Sequence, residues 1–132
     1  MPAAYQDQYL EQGTTFNTQI TLDDNSGNAY NLAGFSVYSQ AKKSYYSSNV
    51  ILQFTSSVYD ASNGIIQISA NSATTANLPA GKMVYDVIIS DATGSVTRVL
   101  EGKITVSPGV TNVIGVPPGS PPNTNNIKIS DL

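Results

Sequence analysis

Apolar and polar residues alternate with a period of two along most of the chain. In the first such stretch, "TTFNTQITLDD", Phe16, Ile20 and Leu22 share one phase, and the residues between them are polar. The same alternation returns in "FSVYSQAKKS", "VILQFTSSVYD", "IIQISA", "MVYDVIIS" and "GKITV". Because successive side chains of a strand point to opposite faces of a sheet, each stretch predicts a half-buried β-strand.

Turn-forming residues separate these strands. The stretches "DDNSGN", "ASNG" and "DATG" combine Asp, Asn, Ser, Thr and Gly, which favour tight turns. In "DATG", Asp91 and Gly94 fit the first and last positions of a type I turn. Only "NSATTANL", residues 71–78, has the composition of a helical turn, which Pro79 and Gly81 would end.

A succession of short strands with frequent turns and little helix defines the fold class. It predicts an all-β fold, namely an antiparallel β-sandwich of the immunoglobulin type, over residues 13–111. A barrel of the oligonucleotide-binding type is the main alternative, but such a barrel would ordinarily offer more basic residues and exposed stacking aromatics.

The alternation is interrupted in the last of these strands, near Arg98. Extending the phase of Ile104 backwards along the strand would bury Arg98 and expose Val99. A β-bulge in this part of the strand would restore the phase and leave Arg98 at the edge, close to Asp86 or Asp91. We therefore predict a bulge at this point.

The hairpin that contains this bulge also carries two acidic residues, Asp86 and Glu101, on neighbouring strands. Glycoside hydrolysis needs such a carboxyl pair. A cross-strand charge pattern with Arg98 and Lys103 is the simpler interpretation, because nothing else in the sequence indicates a cleft or a group that activates water. We predict that these charges belong to the hairpin and that the chain is not an enzyme.

The two ends of the chain differ from the region between them. Residues 1–12 are polar apart from scattered anchors, and they predict an N-terminal arm or a short helix. The anchors Tyr5, Tyr9 and Leu10 are the arm's candidates for binding a partner. They would bury their side chains against a neighbouring protein.

Residues 112–132 contain two Pro-Pro pairs and predict an extended tail, partly in the polyproline II conformation. At its end, "IKISDL" alternates again, with Ile127, Ile129 and Leu132 on one face. A short strand at the end of a Pro-rich tail suits addition to the edge of another subunit's sheet, so these three residues are candidates for partner binding. The alternative is a tail that is frayed in solution.

Composition narrows the chemistry that the chain can perform. It contains no His and no Cys, which excludes catalytic triads that depend on His, thiolate nucleophiles and the commonest metal ligands. The acidic stretch "DDNSGN" lacks the spacing of a calcium-binding loop, and an Asx turn explains it. We predict no cofactor and no metal site.

Charge and hydropathy bear on the partners. Charged residues make up 11% of the chain and the formal net charge is −3, which argues against nucleic acid as a partner. No stretch is apolar for long enough to span a bilayer, and the first residues lack the features of a signal peptide. We therefore expect no membrane partner.

Two adjacent tyrosines, Tyr45 and Tyr46, stand between serines in "SYYSS". Exposed tyrosines among serines are typical of adaptable binding loops. The pair is a candidate for surface recognition, including recognition of glycans by ring stacking. Packing in an interface or in the core is the alternative.

The order of these motifs resembles a small immunoglobulin-like domain of tailed-bacteriophage virion structural proteins, similar to the N-terminal domain of phage baseplate upper proteins. The resemblance covers about residues 13–111. The matching positions are Gly13, Phe16, Asp24, Gly27, Leu32, Gly34, Thr75, Leu78, Gly81, Tyr85, Asp86, Val87, Asp91, Gly94, Leu100, Gly102, Thr105, Val106, Pro108, Val110 and Thr111. One departure is Met83, which stands where a tyrosine or another aromatic residue often follows the glycine.

The resemblance implies structural and attachment work in a virion that is assembled in the host cytoplasm. The chain would be a component of the tail, baseplate, neck or fibre region, present in many copies and held by other virion structural proteins. The alternatives are decoration of the capsid and a module that binds glycans of the host surface.

Overall fold

The computed structural model describes residues 3–24, 26–109 and 123–129, without the side chains of residues 123–126. Ten strands and one short helix lie in these ranges. In chain order they are β1 (Ala4–Tyr5), β2 (Gln8–Glu11), β3 (Phe16–Leu22), β4 (Ser36–Lys42), β5 (Val50–Gln53), β6 (Thr55–Asp60), β7 (Ile65–Ala70), α1 (Ser72–Ala76), β8 (Gly81–Ser90), β9 (Val96–Ser107) and β10 (Asn123–Ile129).

The strands form two sheets. The six-stranded sheet has the order β1-β9-β8-β4-β5, with β2 also paired to β9, and the four-stranded sheet has the order β10-β3-β7-β6. The pairs among β3 to β9 are antiparallel, but β1 and β2 run parallel to β9, and β10 runs parallel to β3. The predicted all-β fold is confirmed. The predicted antiparallel pairing holds among β3 to β9, within residues 13–111. The two ends of the chain, which were predicted as an arm and a tail, instead join the sheets as parallel strands, so each sheet is mixed.

Buried side chains of both sheets form one hydrophobic cluster. Every second residue of β3 and β7 points into it, as the sequence pattern predicted. The rings of Phe16 and Phe54 meet with their centroids 5.6 Å apart. The largest fully buried side chains are Leu10, Phe16, Ile20, Leu22, Leu32, Leu52, Ile66, Ile68, Met83, Ile89, Leu100 and Ile104.

The bulge predicted near Arg98 is confirmed. Val87 of β8 is opposite Leu100 of β9, whereas the next residue, Ile88, is opposite Arg98. Val99 is therefore the extra residue of β9, and it is buried together with its neighbour Leu100. Arg98 moves to the solvent-facing side of the six-stranded sheet as a result.

The predicted turns and the helical turn occupy their expected positions. Gly94 N–H donates to the carbonyl oxygen of Asp91 at 3.1 Å. The hydroxyl of Thr93 and then the N–H of Ser95 donate to the Asp91 carboxylate and lower its pKa. Asn71 caps α1, because its Oδ1 accepts from the N–H of Thr74 at 2.8 Å.

The N-terminal segment is part of the six-stranded sheet. Residues 4–5 and 8–11 are strands, so the predicted short helix is wrong. In β2, Gln8 and Leu10 are buried while Tyr9 and Glu11 are exposed, which is the alternation of a strand. Leu10 is only 1% exposed and belongs to the protein's own core.

The C-terminal strand also packs on its own domain. Each residue of β10, from Asn123 to Ile129, pairs with a residue of β3, from Phe16 to Leu22. Ile129 is 3% exposed, and Lys128 Nζ lies 3.3 Å from Asp23 Oδ2. Leu132 and the predicted extended stretch up to residue 122 lie outside the described residues.

Candidate functional site

An open groove of about 320 Å³ lies on the solvent-facing side of the six-stranded sheet. Its floor includes Val84 and Ile88, which are half-buried because their neighbours in β8 alternate into the core. Tyr45, in the loop after β4, stands beside this floor with 62% of its surface exposed. The groove therefore joins an apolar floor to an aromatic ring.

The charges of the β8–β9 hairpin lie in this groove. Asp86 and Glu101 are directly opposite each other across the two strands. Two like charges in this position repel each other and destabilise the strand pair. Arg98 Nε is 3.1 Å from Asp86 Oδ2, and Arg98 Nη1 is 3.5 Å from Glu101 Oε2. The bulge at Val99 is what brings the guanidinium between the two carboxylates. The predicted cross-strand charge pattern is thus confirmed for these three residues.

The other polar groups of the groove come from β4. Gln40 is the register partner of Asp86, and Lys42 is the register partner of Val84. Both side chains line the groove. The groove thus contains two acidic and two basic side chains, together with one amide.

Tyr5 of β1 lies next to the β8–β9 hairpin, on the side away from β4. It pairs with Glu101 and is more than half exposed. A hydrogen bond with Asp7, followed by burial and by the Asp7 charge, raises the pKa of the Tyr5 hydroxyl.

A buried tyrosine holds the N-terminal segment beside the groove. The hydroxyl of Tyr85 donates to the carbonyl oxygen of Gln6 at 2.5 Å. Burial raises the pKa of Tyr85 from 10.0 to about 12. Gly102 is opposite Tyr85 and leaves space for the Gln6 backbone to pass over β9.

The raised pKa of Tyr85 predicts a loss of stability in alkali. The folded protein holds this proton more tightly than the unfolded chain, so the contribution is complete below pH 10 and disappears as the pH approaches 12. The difference in free energy of unfolding between the wild type and Tyr85→Phe should fall by up to about 2 kcal/mol over this interval. Urea unfolding at several pH values measures it. Parallel curves for the two proteins would contradict the prediction.

The structure places the predicted site residues in three environments, which are the groove, the exposed surface and the hydrophobic core. Tyr45 lies in the groove, whereas Tyr46 is 99% exposed and does not line it. Tyr5 and Tyr9 are exposed on the outer face of the N-terminal strands. The remaining described candidates, Leu10, Ile127 and Ile129, pack in or against the protein's own core.

Four outward-facing residues of the groove were not predicted as site residues from the sequence, namely Gln40, Lys42, Val84 and Ile88. The available signal was the phase of β4 and β8, which places these residues on the face opposite the core. Within the described ranges, no three residues of the types His, Cys, Asp and Glu come together as metal ligands. No helix in those ranges is long and apolar enough to cross a membrane.

Comparisons with known proteins leave the family of the chain open. No protein-family model matches the sequence, and no curated protein matches it. Among solved structures, it is similar to an internalin-like protein of Listeria monocytogenes, with a TM-score of 0.43 and 16% sequence identity. The match covers 80% of this chain and 28% of that chain, so this chain spans less than a third of its neighbour. A likeness at this level carries no argument about function.

Proposed function

We propose that the chain is a non-enzymatic structural protein of tailed-bacteriophage virions, assembled in the host cytoplasm. It would serve as an assembly or attachment component of the tail, baseplate, neck or fibre region, in contact with other virion proteins. The order of motifs over residues 13–111 supports this proposal. The two sheets and the short helix before β8 also support it, because they are compatible with an immunoglobulin-like sandwich.

The observation that carries the proposal is the pairing of β10 with β3. A terminal strand that completes the edge of a sheet is a common means of joining protein subunits. Here the pairing extends over the whole of β3, and Ile129 enters the hydrophobic core. A strand placed in this way on a neighbouring copy would hold two subunits together by backbone hydrogen bonds and apolar burial.

The connection to β10 is long enough to reach a second copy. At its start, the N–H of Gly109 donates to Gln12 Oε1 at 3.0 Å, and at its end Asn123 pairs with Phe16. Both ends therefore lie close to residues 12–16. Residues 110–122 can span on the order of 40 Å when extended, far more than this short path requires. We infer that β10 exchanges onto β3 of a neighbouring copy in the particle.

Cysteine cross-linking in purified particles tests both parts of the proposal. Thr21 and Lys128 are register partners on β3 and β10, and the chain has no natural Cys. Particles assembled with the Thr21→Cys, Lys128→Cys double variant should contain the protein. After oxidation, non-reducing electrophoresis should show covalent multimers of it. As a control, Thr21→Cys with Lys103→Cys places the second thiol on the other sheet and should give none.

The two possible failures are distinct. Absence of the wild-type chain from purified particles would overturn the virion function. Its presence, with only an intrachain disulfide in the Thr21→Cys, Lys128→Cys variant, would overturn strand exchange and leave the virion function standing.

A further inference from the structure

We propose that the groove on the six-stranded sheet binds a neutral saccharide, held between the ring of Tyr45 and the Asp86–Arg98–Glu101 cluster. This inference goes beyond the structural role, since it assigns a ligand to the exposed face of the domain. It rests on the size of the groove, on the apolar and polar groups that it combines and on the balance of its charges.

The size of the groove suits a small sugar unit. Its volume of about 320 Å³ lies at the lower end of the range of about 300–1,000 Å³ that is usual for small-molecule sites. The groove is open to solvent, so a longer glycan could continue beyond it on either side. It would therefore hold one or two sugar rings at the end or along the side of an oligosaccharide.

The apolar part of the groove matches one face of a sugar ring. A pyranose presents axial C–H groups on its faces and hydroxyl groups around its edge. Val84 and Ile88 supply an apolar floor, and the Tyr45 ring supplies a flat surface that loses little conformational entropy on binding. Such surfaces accept the C–H face of the sugar.

The polar part matches the hydroxyl groups. Arg98 Nε lies beside Asp86 Oδ2, and Arg98 Nη1 lies beside Glu101 Oε2. Each carboxylate also has a second oxygen, Oδ1 of Asp86 and Oε1 of Glu101. They can each accept a bond from a sugar hydroxyl, and bonds to a charged acceptor are stronger than those between neutral groups.

The balance of charge selects a neutral ligand. An anionic group in the groove would face Asp86 and Glu101, and a cationic group would face Arg98 and Lys42. Uncharged hydroxyl groups can donate to the carboxylates and can accept from Lys42 and from the Gln40 amide. A neutral saccharide therefore satisfies all of these groups without repulsion.

The loop that carries Tyr45 provides a matched control. The loop turns where the N–H of Ser47 donates to the carbonyl oxygen of Ser44 at 3.2 Å. Tyr45 lines the groove, but its neighbour Tyr46, with almost its whole surface exposed, does not. The same substitution at these two positions thus compares a groove residue with a surface residue of the same type and the same loop.

Binding of the full chain to a glycan array tests the proposal. The array should carry neutral oligosaccharides of glucose, galactose, mannose and N-acetylglucosamine, with sialylated, sulfated and amino-sugar glycans as charged probes. We expect the wild type to bind at least one neutral oligosaccharide, and titration calorimetry then measures its affinity. Tyr45→Ala should weaken that affinity about tenfold or more, and Tyr46→Ala less than about twofold.

The carboxylate is tested by Asp86→Asn, which keeps the shape of the side chain and should weaken binding by about fivefold or more. Lys103→Gln, on the same strand as Glu101 but outside the groove, should have no effect. Circular dichroism checks that each variant is folded. Binding of charged glycans alone, absence of binding to every neutral probe, or equal losses for Tyr45→Ala and Tyr46→Ala would each overturn the proposal.

Discussion

Replacing Gly102 by Ala is expected to detach β1 and β2 from β9 and to lower the free energy of unfolding by about 3 kcal/mol. A Cβ at this position would overlap the carbonyl oxygen of Gln6 and would lie 2.7 Å from its carbonyl carbon. Backbone atoms cannot turn aside as a side chain can, so the segment must move as a unit. Leu10 would then leave the core, and loss of a buried Leu side chain costs about 2–5 kcal/mol.

Urea unfolding measures this loss, and hydrogen exchange shows whether the amides of residues 8–11 lose protection. The control is deletion of residues 1–7, which removes Gln6. In that background Gly102→Ala should cost less than about 1 kcal/mol, because the obstructing carbonyl is gone. A cost that is unchanged by the deletion would show that the contact with Gln6 is not the reason for glycine at this position.

The central strands were predictable because their side chains obey a simple rule. In β3, β7 and β8, residues at every second position face the core, and the turn residues between the strands are of the expected types. The stretch "VILQFTSSVYD" was predicted as one strand, and this was wrong: it forms β5 in the six-stranded sheet and β6 in the four-stranded sheet. Even the bulge was visible in the sequence, since Val99 and Leu100 place two apolar residues side by side in an otherwise alternating strand. A shift of one residue is easy to detect in a strand, because it moves every following side chain to the opposite face of the sheet.

The pairing of the terminal segments was not predictable in the same way. The alternation of β10 suggested a strand that adds to a sheet edge, and it does so, but on β3 of the same chain. In β2 the alternation is present but extends over only four residues. A pattern of that length shows neither the partner strand nor its direction, because both depend on contacts with residues far away in the sequence.

The groove shows how much of a candidate functional site can be predicted from the sequence. Tyr45, Asp86, Arg98 and Glu101 could each be singled out from the sequence. Their convergence could not, because it depends on the register of β8 with β9 and on the path of the loop after β4. The four residues that were missed are ordinary outward-facing residues until the neighbouring strands are placed.

Replacing Gly64 by Ala is expected to cost more stability than Gly102→Ala, because the backbone conformation and the packing at Gly64 both oppose a side chain. Gly64 ends the turn between β6 and β7 with a φ of +69°. A residue with a side chain loses about 1–2 kcal/mol in this left-handed backbone conformation. A Cβ here would also overlap the carbonyl oxygen of Leu22 and would lie 2.8 Å from that of Tyr30. Overpacking of this kind adds about 1–3 kcal/mol. We expect a total loss of about 4 kcal/mol, measured by urea unfolding.

Gly34 provides the matched control. It has a φ of +80°, close to that of Gly64, but a Cβ at Gly34 would meet nothing within 4 Å. Gly34→Ala should therefore lose only the about 1–2 kcal/mol of the backbone conformation. If Gly64→Ala is too unstable for urea unfolding, the soluble yields of the two variants should follow the same order. Equal losses at the two positions would show that the left-handed backbone, and not the packing of the turn against Leu22 and Tyr30, is what requires glycine at residue 64.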